Sequence, residues 1–365
     1  MRALRVVGSV VAVCSLAACS ATAGSSGTNP DSNPQIQSPA PVRTSPLTGL
    51  PQPEAKPVLI VKLDNTRNAQ PHAGLKDADV VYIEEVEYGI TRLAAVFSSI
   101  VPDRIGPVRS ARITDVDLVA QYGSPAFAFS GVQRKMWPEI QGSPLIDVSP
   151  NRNANIYFRD SSRRAPYNYF LDGVDALAFA PDATLDRDIG FVFSNDIPFG
   201  GKVNTGATMD WPGSSAEFTF NPSTGLYNVD LNGEPAEADE NKAGQSAATV
   251  VIQNVKQSPS AYYDRGGGNT PHASTIGKGT AVILRDGLSY DVKWSRPTED
   301  VGTTFTMADG SPMPFKPGQQ WVVLLDKERP ATLLPEPSPA PSSSKKKGTA
   351  QPSPSTSSGA STIRT

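Results

Sequence analysis

The chain has 365 residues, with 33 Lys and Arg against 36 Asp and Glu for a formal net charge of −3, and it is rich in Gly (30) and Pro (34). That balance excludes a general nucleic-acid or polyanion binder, which needs a large positive excess, and leaves room only for a local basic patch. Its two cysteines, Cys14 and Cys19, and its two histidines, His72 and His272, exclude a disulfide framework, thiolate catalysis beyond the first residues and a three-histidine metal centre; no metal or cofactor is expected.

Residues 1–18 read as a lipoprotein signal peptide. Arg2 and Arg5 precede an apolar run, Val6 to Leu16, that is too short to span a bilayer. Leu16-Ala17-Ala18-Cys19 resembles the bacterial lipobox, which implies that Cys19 becomes the lipid-bearing mature N-terminus. Two acyl chains give stable anchoring where one is marginal. The expected location is the outer face of a cytoplasmic membrane. Residues 19–46, rich in Ser, Pro, Thr, Asn and Gly, read as a disordered tether, and residues 330–365 as a disordered Pro/Ser-rich tail. Lys345, Lys346 and Lys347 interrupt that tail and are few for an electrostatic contact with a membrane.

Between the tails, the expected class is α+β, with a mixed-sheet N-terminal domain of α/β type over 47–199 and a smaller, mostly-β C-terminal domain over 200–329. Pro57 to Leu63 is a β-branched run that predicts a buried strand. Asp79 to Glu87 and Ile90 to Ile100 predict a hairpin reversing at Tyr88-Gly89. A helix is expected over roughly Thr114 to Tyr122, capped by Ser110 or Thr114, followed by a buried strand from Ala126. Beyond residue 200 the period shortens to two, and Ala248–Val255, Gly279–Leu284, Leu288–Trp294 and Gln320–Leu325 read as strands. Gly266-Gly267-Gly268 lacks the Lys-Ser/Thr of a P-loop and reads as a flexible hairpin tip. Trp294 and Trp321 read as core aromatics.

Laid out this way, the chain resembles the YerB-like family of bacterial lipoproteins, known as domain of unknown function 3048. The residues that carry the resemblance are Lys62-Leu63-Asp64-Asn65, Ala78 to Tyr82, Glu84 with Glu85, Gly89 to Arg92 and, above all, Arg104-Ile105-Gly106-Pro107-Val108-Arg109-Ser110-Ala111-Arg112. Arg163-Arg164-Ala165-Pro166-Tyr167-Asn168 is similar to a further family segment, in which His often stands where this chain has Tyr167. Trp294 and Pro317 to Trp321 extend the likeness into the C-terminal half. The resemblance implies a two-part lipoprotein and no assigned reaction.

The candidate site gathers around residues 90–115. Alternation along a strand puts Glu85 and Glu87 on one face and Glu84 on the other. Arg92, on the antiparallel neighbour, is expected to form a cross-strand ion pair. Arg109 and Arg112, three apart, would share a face if the helix has begun there, and with Asn65 and Ser110 they would form an anion pocket at a helix N-terminus; Asp64, Glu84 and Glu85 complete the candidate ligand-binding set. The competing expectation is a structural ion-pair network with Asp64, Glu84 and Asp115. Ser110 has no nucleophile elbow around it, and His72, the nearest base, reads as an exposed turn residue. Two functions stay open. The first is a membrane-anchored binding protein holding an anionic cell-wall polymer or envelope protein at the Arg92, Arg109 and Arg112 face, with no nucleic-acid partner. The second is a glycan hydrolase or transferase with Glu84 or Glu85 as acid/base.

Overall fold

The computed structural model describes residues 42–335. The signal peptide, Cys19, residues 20–41 of the tether and Lys345 to Lys347 lie outside the described residues. The chain is mostly β, with 43% of residues in strands and 12% in helices, built on a mixed sheet. At both margins order reaches further than expected: Thr44 bridges to Pro51, and Thr332–Leu334 forms a strand where the tail was expected to have begun.

The N-terminal half supplies β1 (Leu59–Asp64), β2 (Val80–Glu85), β3 (Thr91–Phe97), β4 (Ala126–Ala128) and β5 (Ile146–Asp147), with short helices α1 (Ile113–Ala120), α2 (Trp137–Gly142) and α3 (Gly173–Phe179). The C-terminal half supplies β6 (Gly206–Trp211), β7 (Ser214–Asn221), β8 (Leu226–Leu231), β9 (Thr249–Tyr263), β10 (Asn269–Ser274), β11 (Gly277–Arg285), β12 (Leu288–Arg296), β13 (Thr304–Thr306), β14 (Gln320–Asp326) and β15 (Thr332–Leu334). Strands of both halves lie in one twelve-stranded sheet. Its path is β13-β12-β11-β9-β14-β2-β3-β1-β4-β5, with β10 paired to β9 and Lys202–Val203 to β12.

The join is β14. It runs parallel to β2, with Val81 opposite Trp321, and parallel to β9 on its other side, with Val251 opposite Val322. Its apolar run, Trp321 to Leu325, has no polar alternation because both faces are covered. One face of the sheet, including Val61, Val81, Leu93 and Val323, packs under a smaller sheet of β6, β7, β8 and β15. There the Phe218 ring meets Trp321 edge-on at 5.7 Å. The other face, including Ile60, Tyr82, Val96 and Leu324, is covered by residues of α1 such as Leu118 and Val119.

Asp79 ties this join together. Its carbonyl accepts from Gln320 N–H at 3.0 Å, and its carboxylate accepts the N–H groups of Ser98 and Ser99 at 2.7 and 2.9 Å. Burial raises the carboxyl from 3.8 to about 6 despite those donors. The native state therefore holds a proton there that the unfolded chain has released. The stability this contributes is complete below pH 3.8 and is lost as pH rises through about 6. Asp79→Asn keeps an acceptor for both N–H groups and removes the titration. Relative to this variant, the wild type should lose roughly 2–3 kcal/mol between pH 4 and 7. Parallel urea-stability curves of the two proteins across that window would contradict the assignment.

Candidate functional site

Strand register decides which charges meet. Odd-numbered residues of β1 face the smaller sheet, so Lys62 and Asp64 turn toward α1, as do Glu84 on β2 and Arg92 on β3. Arg92 stands opposite both Asp64 and Glu84, yet it pairs with neither. Glu84 is fully buried in an ion pair with Lys62, whose Nζ also donates to Asp115 Oδ1 at 2.8 Å. Asp64 Oδ2 lies 2.7 Å from Arg109 Nε, a close charge contact off the hydrogen-bond direction, and its Oδ1 accepts Thr66 N–H at 2.7 Å.

The helix lies where expected, over Ile113–Ala120, but its cap differs. Residues 109–111 are not helical, and Arg112 is the N-cap, so neither Ser110 nor Thr114 caps it. Asp115 reaches back to accept Arg112 N–H at 2.6 Å, placing negative charge in the first turn. The expected pairing of Glu85 with Glu87 also fails. β2 ends at Glu85, and Glu87 enters a 3-10 turn in which Tyr88 has φ 62°. Glu85 pairs with Arg329 at 2.7 Å, while Glu87 grips Arg112 in a two-pronged pair at 2.6 and 2.7 Å. Burial pushes the Glu87 carboxyl up, but Arg112 outweighs it and holds the group below its usual range.

These arrangements leave a cavity of about 440 Å³ whose lining includes Arg92, Arg109, Arg112, Ser110, Glu87 and Arg265. Arg92 is 7% exposed and its guanidinium forms no ion pair among the described residues; the one hydrogen bond that side chain makes there goes to Ser110 C=O at 2.5 Å. Burial, with the like charges of Arg112 and Arg109, lowers its guanidinium to about 9. A cation held this way is costly unless something neutralises it.

Of the expected site residues, Arg92, Arg109, Ser110 and Arg112 meet at the cavity, and Asp64 stands behind it on Arg109. Asn65 is turned inward, donating to Thr91 Oγ1 at 2.8 Å. Glu84 and Glu85 point to opposite faces, the first sealed by Lys62 and the second tied to Arg329, and neither lines the cavity as the acid/base of a glycan-acting enzyme would. His72 is buried rather than exposed, its Nε2 2.6 Å from Asp64 C=O; burial pushes its pKa down.

Arg265 was not foreseen. It lies at the tip of the β9–β10 hairpin, which arches over the cavity and docks on Tyr88. The Tyr88 hydroxyl donates to Asp264 Oδ1 at 3.0 Å and accepts Gly268 N–H at 2.9 Å. A Cβ at Gly268 would fall 2.6 Å from the Tyr88 ring, so close approach, and not only a turn, requires glycine there. Thr270 reaches Glu87, and His272 Nε2 lies 2.7 Å from Asp117 Oδ2, fixing the stem.

Residues 47–186 match the DUF3048 N-terminal domain and residues 207–322 its C-terminal domain, both described as protein of unknown function. The chain belongs to the DUF3048 family. It is 24% identical over 296 residues to a protein of Bacillus subtilis (strain 168) provisionally named lipoprotein YerB, covering 76% of this chain and 85% of that one. The crystal structure of YerB from Bacillus subtilis superimposes with a TM-score of 0.67 at 19% identity, covering 80% of this chain and 99% of that chain, which establishes a shared fold. In DUF3048 terms, the N-terminal domain supplies Arg92, Arg109 and Arg112, and the C-terminal domain supplies the Tyr263–Arg265 wall of the same cavity.

The frame behind the cavity is testable through Lys62. Lys62→Met leaves Glu84 and Asp115 buried without their cation and should cost about 3–5 kcal/mol. Lys62→Met with Glu84→Leu should recover a large part of that loss. Chemical denaturation reads both; a single variant within about 1 kcal/mol of wild type would contradict the role given to this cluster.

Proposed function

We propose that the chain is a lipid-anchored lipoprotein of the cell envelope, on the outer face of the cytoplasmic membrane, that binds an anionic ligand through Arg92, Arg109 and Arg112. The anchor reading rests on the lipobox-like Leu16 to Cys19 and on the lipoprotein name given to the Bacillus relative. One observation carries the ligand reading: among the described residues Arg92 is buried at the cavity without a counter-ion, while its neighbours Arg109 and Arg112 each have one. A carboxylate or phosphate entering there supplies the missing charge. The planar guanidinium fork suits both. The ligand class outside the membrane is an anionic wall polymer or the acidic face of an envelope protein.

A residue kept for a ligand at the expense of the empty fold has a recognisable signature. Arg92→Met should raise the melting temperature of the unliganded protein by roughly 2 °C or more. The same variant should lose the thermal protection that phosphate or an anionic glycan gives the wild type. Calorimetric melts with and without the anion check both. A variant that melts lower than wild type, or that is protected equally, overturns the reading.

A further inference from the structure

A second and larger cavity, of about 660 Å³, opens beside the first. Its lining includes Asn68, Arg163, Arg164, Pro166, Tyr167 and Asp239. The two cavities meet at one contact: the Arg109 guanidinium, which lines the first, lies 6.0 Å from the ring centre of Tyr167, which lines the second. The floor of the second cavity is fixed. Arg163 donates to the carbonyls of Ala69 and Pro71 at 3.1 and 2.5 Å and pairs with Asp239 at 3.0 Å. Arg104 pairs with the same Asp239, and its guanidinium lies 4.2 Å over the Phe170 ring. Arg164, by contrast, is exposed; its carbonyl accepts Tyr167 N–H at 3.0 Å, but its guanidinium makes no hydrogen bond or ion pair among the described residues. Each cavity thus carries one cationic side chain without a partner among the described residues, Arg92 in the first and Arg164 in the second, and the paired Arg109 and the Tyr167 ring stand where the cavities meet.

We infer that the two cavities form one extended site for a linear chain bearing repeated phosphate groups, such as a phosphorylated glycan or polyol. Arg92 takes one phosphate, Tyr167 covers the intervening sugar or polyol, and Arg164 takes a later phosphate. This rests on the arginine-pocket reading and adds to it the form of the ligand. A single anion fills only the Arg92 end. A chain engages both ends, and the second contact is then effectively intramolecular, so affinity rises with chain length. Tyr167 presents a flat ring of the kind that sugars and guanidinium groups lie against.

The test compares inorganic phosphate, a synthetic glycerol-phosphate oligomer and an oligoglutamate of similar length, titrated calorimetrically against the full-length protein in detergent. The oligomer should bind at least tenfold tighter than phosphate. Arg164→Ser and Tyr167→Ala should each remove most of that gain. Tyr167→Phe should keep the gain because the ring is retained. Equal affinity for phosphate and oligomer, or a gain untouched by both Arg164→Ser and Tyr167→Ala, overturns the extended site and leaves the Arg92 pocket standing. A gain for oligoglutamate as large as for the oligomer overturns the assignment to a phosphate-bearing chain. A wild type that binds none of the three overturns the arginine-pocket reading, and the extended site with it.

Discussion

Lys62 enters the core on β1 with its ammonium fully buried, and two carboxylates close on it, Glu84 from β2 and Asp115 from α1. Much of the surrounding geometry depends on that grouping. Asp115 offers its second oxygen to the Arg112 N–H, which sets where α1 begins and therefore where the Arg112 side chain emerges. Glu84, once taken by Lys62, cannot serve Arg92, although it stands directly opposite in register. Asp64, the other carboxylate opposite Arg92, is drawn to Arg109 and to the turn at Thr66. The sheet thus carries matched charges and distributes them unequally. Among the described residues Lys62 holds two carboxylates, Arg109 and Arg112 hold one each, and Arg92 holds none.

That imbalance lies where the two halves of the chain close on each other. β14 inserts between β2 and β9, so the halves share a hydrophobic sheet centre. The same closure brings the β9–β10 hairpin over the N-terminal arginines, with its glycine tip seated on Tyr88. Asp239, also from the C-terminal half, anchors Arg104 and Arg163 under the neighbouring cavity. Neither cavity is complete on residues of one half, which gives the joint sheet a consequence for the proposed binding site as well as for stability.

The elements were legible where the pattern was local. Leu59 to Asp64 and Val80 to Glu85 are continuous β-branched runs, and a strand buried on both faces needs that composition. Alternation also separated Glu84 from Glu85 correctly. It failed at Glu87, because a strand stops where the backbone turns, and the left-handed Tyr88 gives no composition signal. Arg92 was expected to pair across the strand; register did put it opposite two carboxylates, but their competition for Lys62 and Arg109 depends on residues tens of positions away. The parallel insertion of β14 beside β2 joins segments more than two hundred residues apart, and nothing in either run names its partner. Arg265 had a readable signal that was given another meaning. Three adjacent glycines mark a close backbone approach as well as a turn, and here the approach is to the Tyr88 ring.

The central claim is that the buried, unpaired Arg92 holds an anion. The most direct measurement is a crystal structure of the protein grown at neutral pH with phosphate as the added anion. The account predicts a tetrahedral density in the cavity within hydrogen-bond distance of the Arg92 guanidinium, with Arg109 or Arg112 as a second donor. A cavity holding only water while Arg92 turns away to pair with Glu87 or Asp64 would contradict it.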